Sequence, residues 1–103
     1  MVTASFIGRG AVYTGFRVQG HSGYAPAGQD IVCAAVSAMT MLTVNLIESS
    51  FGIESALNVD EDTGLIEFSV VGDSAEAGKI IAGFRQELLA LSAEYPHNIL
   101  VKE

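Results

Sequence analysis

From Ile31 to Ile47 the chain runs for 17 residues without a charge, a glycine or a proline. Nothing in that stretch breaks a helix, and Asp30 just before it is a good N-cap. The spacing therefore predicts a helix from Asp30 to about Ser49, with Gly52 as its stop. The run holds Ser37, Thr40, Thr43 and Asn45, lies between Asp30 and Glu48, and falls short of the roughly 20 apolar residues that span a bilayer. It reads as a buried helix and not a membrane span. A helix apolar around so much of its circumference obliges the rest of the chain, or a second copy of it, to cover that surface. With 103 residues there is length for one core, so residues 1–103 are read as a single domain.

The segments on either side change period. Val2 to Ile7 is a short mixed run, Gly8-Arg9-Gly10 supplies a turn, and Val12, Thr14, Phe16 and Val18 alternate with Tyr13, Gly15, Arg17 and Gln19, which predicts a β-hairpin. Residues 20–28, GHSGYAPAG, carry three glycines and a proline, resist both helix and strand, and read as a loop of some mobility. After the helix, Ile53, Ser55, Leu57 and Val59 alternate with polar or small residues. Glu61-Asp62-Thr63-Gly64 turns the chain, and Ile66, Phe68 and Val70 alternate again, giving a second hairpin with one wet face.

Asp73 with Glu76 resembles a capping box, and Ala77, Ile81, Phe84, Leu88 and Leu91 recur at helical spacing up to the break before Pro96. Asn98 to Val101 closes the chain as a last strand. The order ββαββαβ predicts an α+β fold, a mainly antiparallel sheet with two helices on one face.

Twelve acidic and five basic residues give a formal charge of −7, a poor balance for gripping a phosphate backbone, so no direct nucleic-acid ligand is expected. The imbalance is uneven: residues 1–29 carry +2 and residues 30–103 carry −9, a surface that attracts a basic polypeptide. Cys33 is the sole cysteine and cannot form an internal disulfide. The start MVTASFIGRG shows no basic region followed by an apolar one, and the chain is expected in the cytoplasm. No Cys/His cluster has metal-ligand spacing, and the glycine-rich loop has no Lys for a phosphate cradle, so neither a metal nor a cofactor is expected.

The chemistry is concentrated between Gly20 and Ser37. With Asp30 as N-cap, Cys33 occupies the third helical position, where unpaired backbone N–H groups and the positive end of the helix dipole favour an anion such as a thiolate. Asp30 opposes this, since a carboxylate repels a thiolate. His21, twelve residues upstream, sits on a segment able to fold back to the sulfur as a Cys–His pair. Asp30 and Ser37 share the helical stripe of Cys33, so either could orient the imidazole or hold substrate backbone. Each residue also has a plain structural reading: Cys33 as a small core side chain, His21 as an exposed loop residue, Asp30 as a cap, Ser37 as a bond to the preceding turn, and His97 as structural.

The run Gly20-His21-Ser22-Gly23-Tyr24-Ala25, then Gly28, then Asp30-Ile31-Val32-Cys33-Ala34-Ala35-Val36-Ser37 resembles the signature of the ribosomal-processing cysteine protease family, Prp. The likeness extends over the whole chain in length, acidity and element order. Ser22 stands where many members carry Ala. The resemblance implies a catalytic dyad on His21 and Cys33, supported by Gly20, Asp30 and Ser37. It also implies a homodimeric cysteine endopeptidase with a loop that moves over the active site. Its substrate would be the short N-terminal extension of a large-subunit ribosomal protein, number twenty-seven, cut after a pair of aromatic residues and before a small one. The alternatives are a non-enzymatic acidic interaction module acting in ribosome assembly, with Cys33 buried and inert, and a small-molecule hydrolase using the same pair.

Overall fold

Val2–Arg9 (β1) and Val12–Gln19 (β2) pair as an antiparallel hairpin in the computed structural model of the chain, which describes residues 1–9, 12–26 and 28–102. There follow Ile31–Asn45 (α1), a π-helical turn over Leu46–Ser50, Ser55–Asp60 (β3), Leu65–Val70 (β4), Ala75–Glu94 (α2) and Ile99–Lys102 (β5). The sheet order is β3-β4-β2-β1-β5, with β1 and β5 parallel and the other three pairings antiparallel. This is the expected α+β order, and both helices lie on one face of the sheet.

Register explains why one face is dry. Ala4 pairs with Val18 and Val18 with Ile66, while Phe6 pairs with Phe16 and Phe16 with Phe68, so apolar residues align in rows under the helices. One residue along, Ser5, Arg17, Glu67 and Asn58 form the matching polar row on the far side. The core joins Val2, Ala4, Phe6, Phe16, Val18, Phe68 and Val70 to Val32, Val36, Val44 and Ile47, and to Ala77, Ile81, Phe84 and Leu88. Each large side chain buried there contributes about 1.5–3 kcal/mol. Phe16 is its centre, with ring centroids 4.9 Å from Phe84 and 5.3 Å from Phe68.

Five details differ from the sequence reading, each for a local reason. Gly8 and Arg9 belong to β1 and not to the turn; Gly10 lies outside the described residues. Ile7 faces Gly15 but Gly8 faces Tyr13, so Thr14 is the extra residue of a bulge, and Tyr13 turns inward to meet the Phe6 ring at 6.1 Å instead of alternating outward. The cap of α2 is Ser74 and not Asp73, because the Ser74 backbone is extended and its hydroxyl accepts the Ala77 N–H at 3.2 Å. Leu57 and Val59 are on the helix side of the sheet yet 39% and 50% exposed, since β3 is an edge strand and a cavity separates Val59 from α1. Finally, α1 with its π turn is one uninterrupted run of 20 residues, Ile31–Ser50, long and apolar enough by composition to cross a membrane. It instead lays Val32, Val36, Thr40, Val44 and Ile47 on the sheet.

Candidate active site

The mouth of α1 is built by one carboxylate. Asp30 is extended, as an N-cap must be, and its Oδ1 accepts the Cys33 N–H at 2.9 Å. Its Oδ2 accepts the Ser22 hydroxyl, the Tyr24 N–H at 3.2 Å and the Ala25 N–H at 3.5 Å. The hydrogen bond from Ser22 is the main cause holding the Asp30 carboxyl below its ordinary value, followed by that from Cys33; partial burial works the other way. The cap thus ties the glycine-rich loop to the helix that carries Cys33.

Two further contacts anchor the loop. Asn98, just before β5, donates its side-chain N–H to the Ser22 carbonyl at 2.9 Å. The Tyr24 ring meets Tyr95 edge-on at 5.5 Å. A segment that composition alone marks as mobile is therefore fastened to the start of α1 and to the junction of α2 and β5, and Ser22 is 2% exposed. Gly20 opens the segment with φ 97°, and a β-carbon there would lie 2.5 Å from the Met1 carbonyl oxygen. No side chain is compatible with that position.

His21 and the half-buried Cys33 border the same two cavities. The first, about 530 Å³, opens between the loop and α1, with Gly23, Ala25, Gly28 and Ser37 on its walls. The second, about 230 Å³, runs between α1 and the β3–β4 hairpin, with Val36, Thr40, Val59, Glu61 and Ile66 on its walls. Ser37 borders both, Asp30 the first and Gly20 the second. Among the described residues no hydrogen bond joins His21 to Cys33, and none of those made by Asp30 reaches His21. The five residues singled out in the sequence are thus gathered at one place. Sequence reasoning missed Ser22 and Asn98 as anchors and the β3–β4 hairpin as the far wall. The hairpin residues had no local signal beyond a turn, because their approach to α1 is made by the sheet order.

The sequence reading of α1 as a buried helix holds for one face only, since Ile31, Met41 and Leu42 are exposed. A thiol in the first turn of α1, open to two cavities that an imidazole also borders, can take a polypeptide and attack its carbonyl. That layout belongs to the class of small α+β cysteine proteases. The family model of cysteine protease Prp matches residues 1–100. The chain is 31% identical over 91 residues to the ribosomal processing cysteine protease Prp of Bacillus subtilis (strain 168), covering 84% of this chain and 81% of that one. Its structure resembles that of an essential ribosomal processing protease Prp from S. aureus with a covalently linked product peptide, with TM-score 0.92, 26% identity and both chains covered in full. It also resembles SMU.848 from Streptococcus mutans, with TM-score 0.86, 28% identity, and 99% and 92% of the two chains covered. The chain belongs to the Prp family of cysteine proteases, and the non-enzymatic alternative gives way.

Proposed function

We propose that this protease removes the N-terminal extension of a basic large-subunit ribosomal protein, number twenty-seven, in the cytoplasm, with Cys33 as nucleophile and His21 as its base. The observation that carries the reading is the placement of Cys33 at the third position of α1, opening on two cavities that His21 shares. The relatives named for ribosomal processing, and the S. aureus structure with a covalently linked product peptide, support the substrate class. So do Asp60 and Glu61 on the wall of the second cavity, which favour a basic chain.

In this mechanism His21 takes the proton from the Cys33 Sγ and the thiolate attacks the scissile carbonyl carbon. The oxyanion is met by first-turn amides of α1. The Cys33 N–H is already engaged by Asp30 Oδ1, which leaves the amides ahead of it. His21 returns the proton to the leaving amine; water, deprotonated by His21, then releases the thioester and restores the thiol. The glycines and proline of the loop suit a segment that opens to admit a peptide and closes over it.

The same reading includes a homodimer. α1 leaves Ile31 58%, Met41 37% and Leu42 60% exposed, apolar surface that a second copy would cover. Leu42→Glu should shift sedimentation from dimer to monomer; an unchanged dimer removes this face from the interface.

The decisive experiment incubates the chain with an extended ribosomal substrate, or a peptide with a Phe-Phe-Ala-like junction, and sequences the new N-terminus. Cys33→Ala and Cys33→Ser should fold and not cut, and His21→Ala should not cut at neutral pH. Full cleavage by Cys33→Ala ends the protease assignment of this cysteine, and an unaffected rate in His21→Ala removes the dyad. A small-molecule hydrolase would cleave an activated ester and leave the peptide intact.

A further inference from the structure

The geometry points to Gly64, in the β3–β4 turn, as a positioning residue for the His21 imidazole, a role that rests on the dyad reading above. Gly64 has φ 66°, and a β-carbon built on it would lie 3.2 Å from His21 Cε1 and 3.0 Å from the Gly20 carbonyl oxygen. Both contacts are closer than ordinary carbon packing distances of about 3.5–4 Å. The turn backbone therefore lies beside the ring edge, with room there for an α-hydrogen but not, without displacement, for a methyl group. Gly64 also borders the second cavity with His21 and Cys33, and its N–H closes the turn on the Glu61 carbonyl at 3.3 Å.

The seat matters because of what else holds the ring. Ser22 is fastened through Asp30 and Asn98, and Gly20 is confined by Met1, so the backbone on either side of His21 is placed. The imidazole itself makes no hydrogen bond among the described residues. Its orientation is left to packing, and a methyl group in place of the Gly64 α-hydrogen that faces the ring would push it. A shift of about an ångström in a reacting group costs on the order of a hundredfold in rate; the few tenths of an ångström required here should cost about tenfold.

Backbone strain must be separated from contact with the ring, and the chain contains its own control. Gly52 has φ 63°, nearly the same conformation, with nothing within 4 Å of the position its β-carbon would take. Gly64→Ala and Gly52→Ala thus share the penalty of a side chain in the left-handed region, and only the first meets the Gly20 carbonyl and the His21 ring. Gly64→Asn keeps the contact while tolerating that region better, and serves if Gly64→Ala folds poorly.

The test uses kcat and KM on the cleavable peptide together with the two histidine Cε1–Hε1 resonances, since the chain has only His21 and His97. Gly64→Ala and Gly64→Asn should lower kcat about tenfold with little change in KM. They should also move the His21 resonance while leaving that of His97 in place. Gly52→Ala should change neither kcat nor the His21 resonance. If Gly64→Ala and Gly64→Asn match Gly52→Ala in both readouts, or displace the ring without slowing cleavage, the positioning role is wrong and the dyad stands. If His21→Ala cleaves normally, the dyad itself has failed, and the role of Gly64 falls with it.

Discussion

Phe16 is the residue on which the attachment of α2 to the sheet depends most. Its side chain is 1% exposed, and its ring lies 4.9 Å from Phe84 on α2, 5.3 Å from Phe68 on β4 and 6.3 Å from Phe6 on β1. Phe16→Ala removes the ring and leaves a void that strands on both sides cannot close, at a cost of about 3–5 kcal/mol. For a domain of this size the entropy of unfolding is about 0.2 kcal/mol per kelvin, so the melting temperature should fall by about 15–25 °C. Urea unfolding followed by circular dichroism measures the loss directly. A cycle pairing Phe16→Leu with Phe84→Leu should show a coupling of about 0.5–1.5 kcal/mol, the part of the cost owed to the edge-to-face contact. Phe16 is four residues before Gly20, about 13 Å along the strand. Cleavage per folded molecule should therefore be unchanged at low temperature. A loss below about 1.5 kcal/mol for Phe16→Ala, or no coupling in the cycle, would refute this account of the core.

Other parts of the structure make further commitments. Asp30 has a lowered pKa in the fold, so its contribution is fully present above its unfolded value, near 3.8, and is lost as pH falls through the folded one. The gap in urea midpoint between the wild type and Asp30→Asn should be constant around neutral pH and shrink below that value; a gap that widens in acid reverses the sign and sinks the argument. Ser74→Ala removes the α2 cap and should cost about 1 kcal/mol, or roughly 5 °C in melting temperature; an unchanged melting temperature would mean the hydroxyl does no capping. Asn98→Ala should release the Ser22 carbonyl and speed amide exchange in residues 21–25 with α1 unaffected, and uniform exchange across both would show that the loop is not held there.

Much of this protein could be read along the chain because the relevant forces are local. The period of two in Ile66–Val70 and, past the bulge, in Phe16–Val18, the long unbroken run after Asp30 and the spacing of Ala77, Ile81, Phe84 and Leu88 are consequences of strand and helix geometry, and the structure follows them. Asp30 as cap and Cys33 in the first turn are equally local, set by which N–H groups a helix leaves unpaired.

The tertiary structure decided what depends on residues distant in sequence. The hydrogen bond from Asn98 to Ser22 spans 76 positions, and no pattern near either residue announces it. The bulge at Thr14 turns Tyr13 inward because Phe6 offers a ring there, a preference that alternation cannot express. Above all, the sheet order brings the β3–β4 turn against His21. One strip of chain holds both Cys33 and His21, but the turn at Gly64, far along the sequence from either, supplies a wall of the cavity they border, because backbone pairing across the sheet sets that distance and no side chain near Cys33 does.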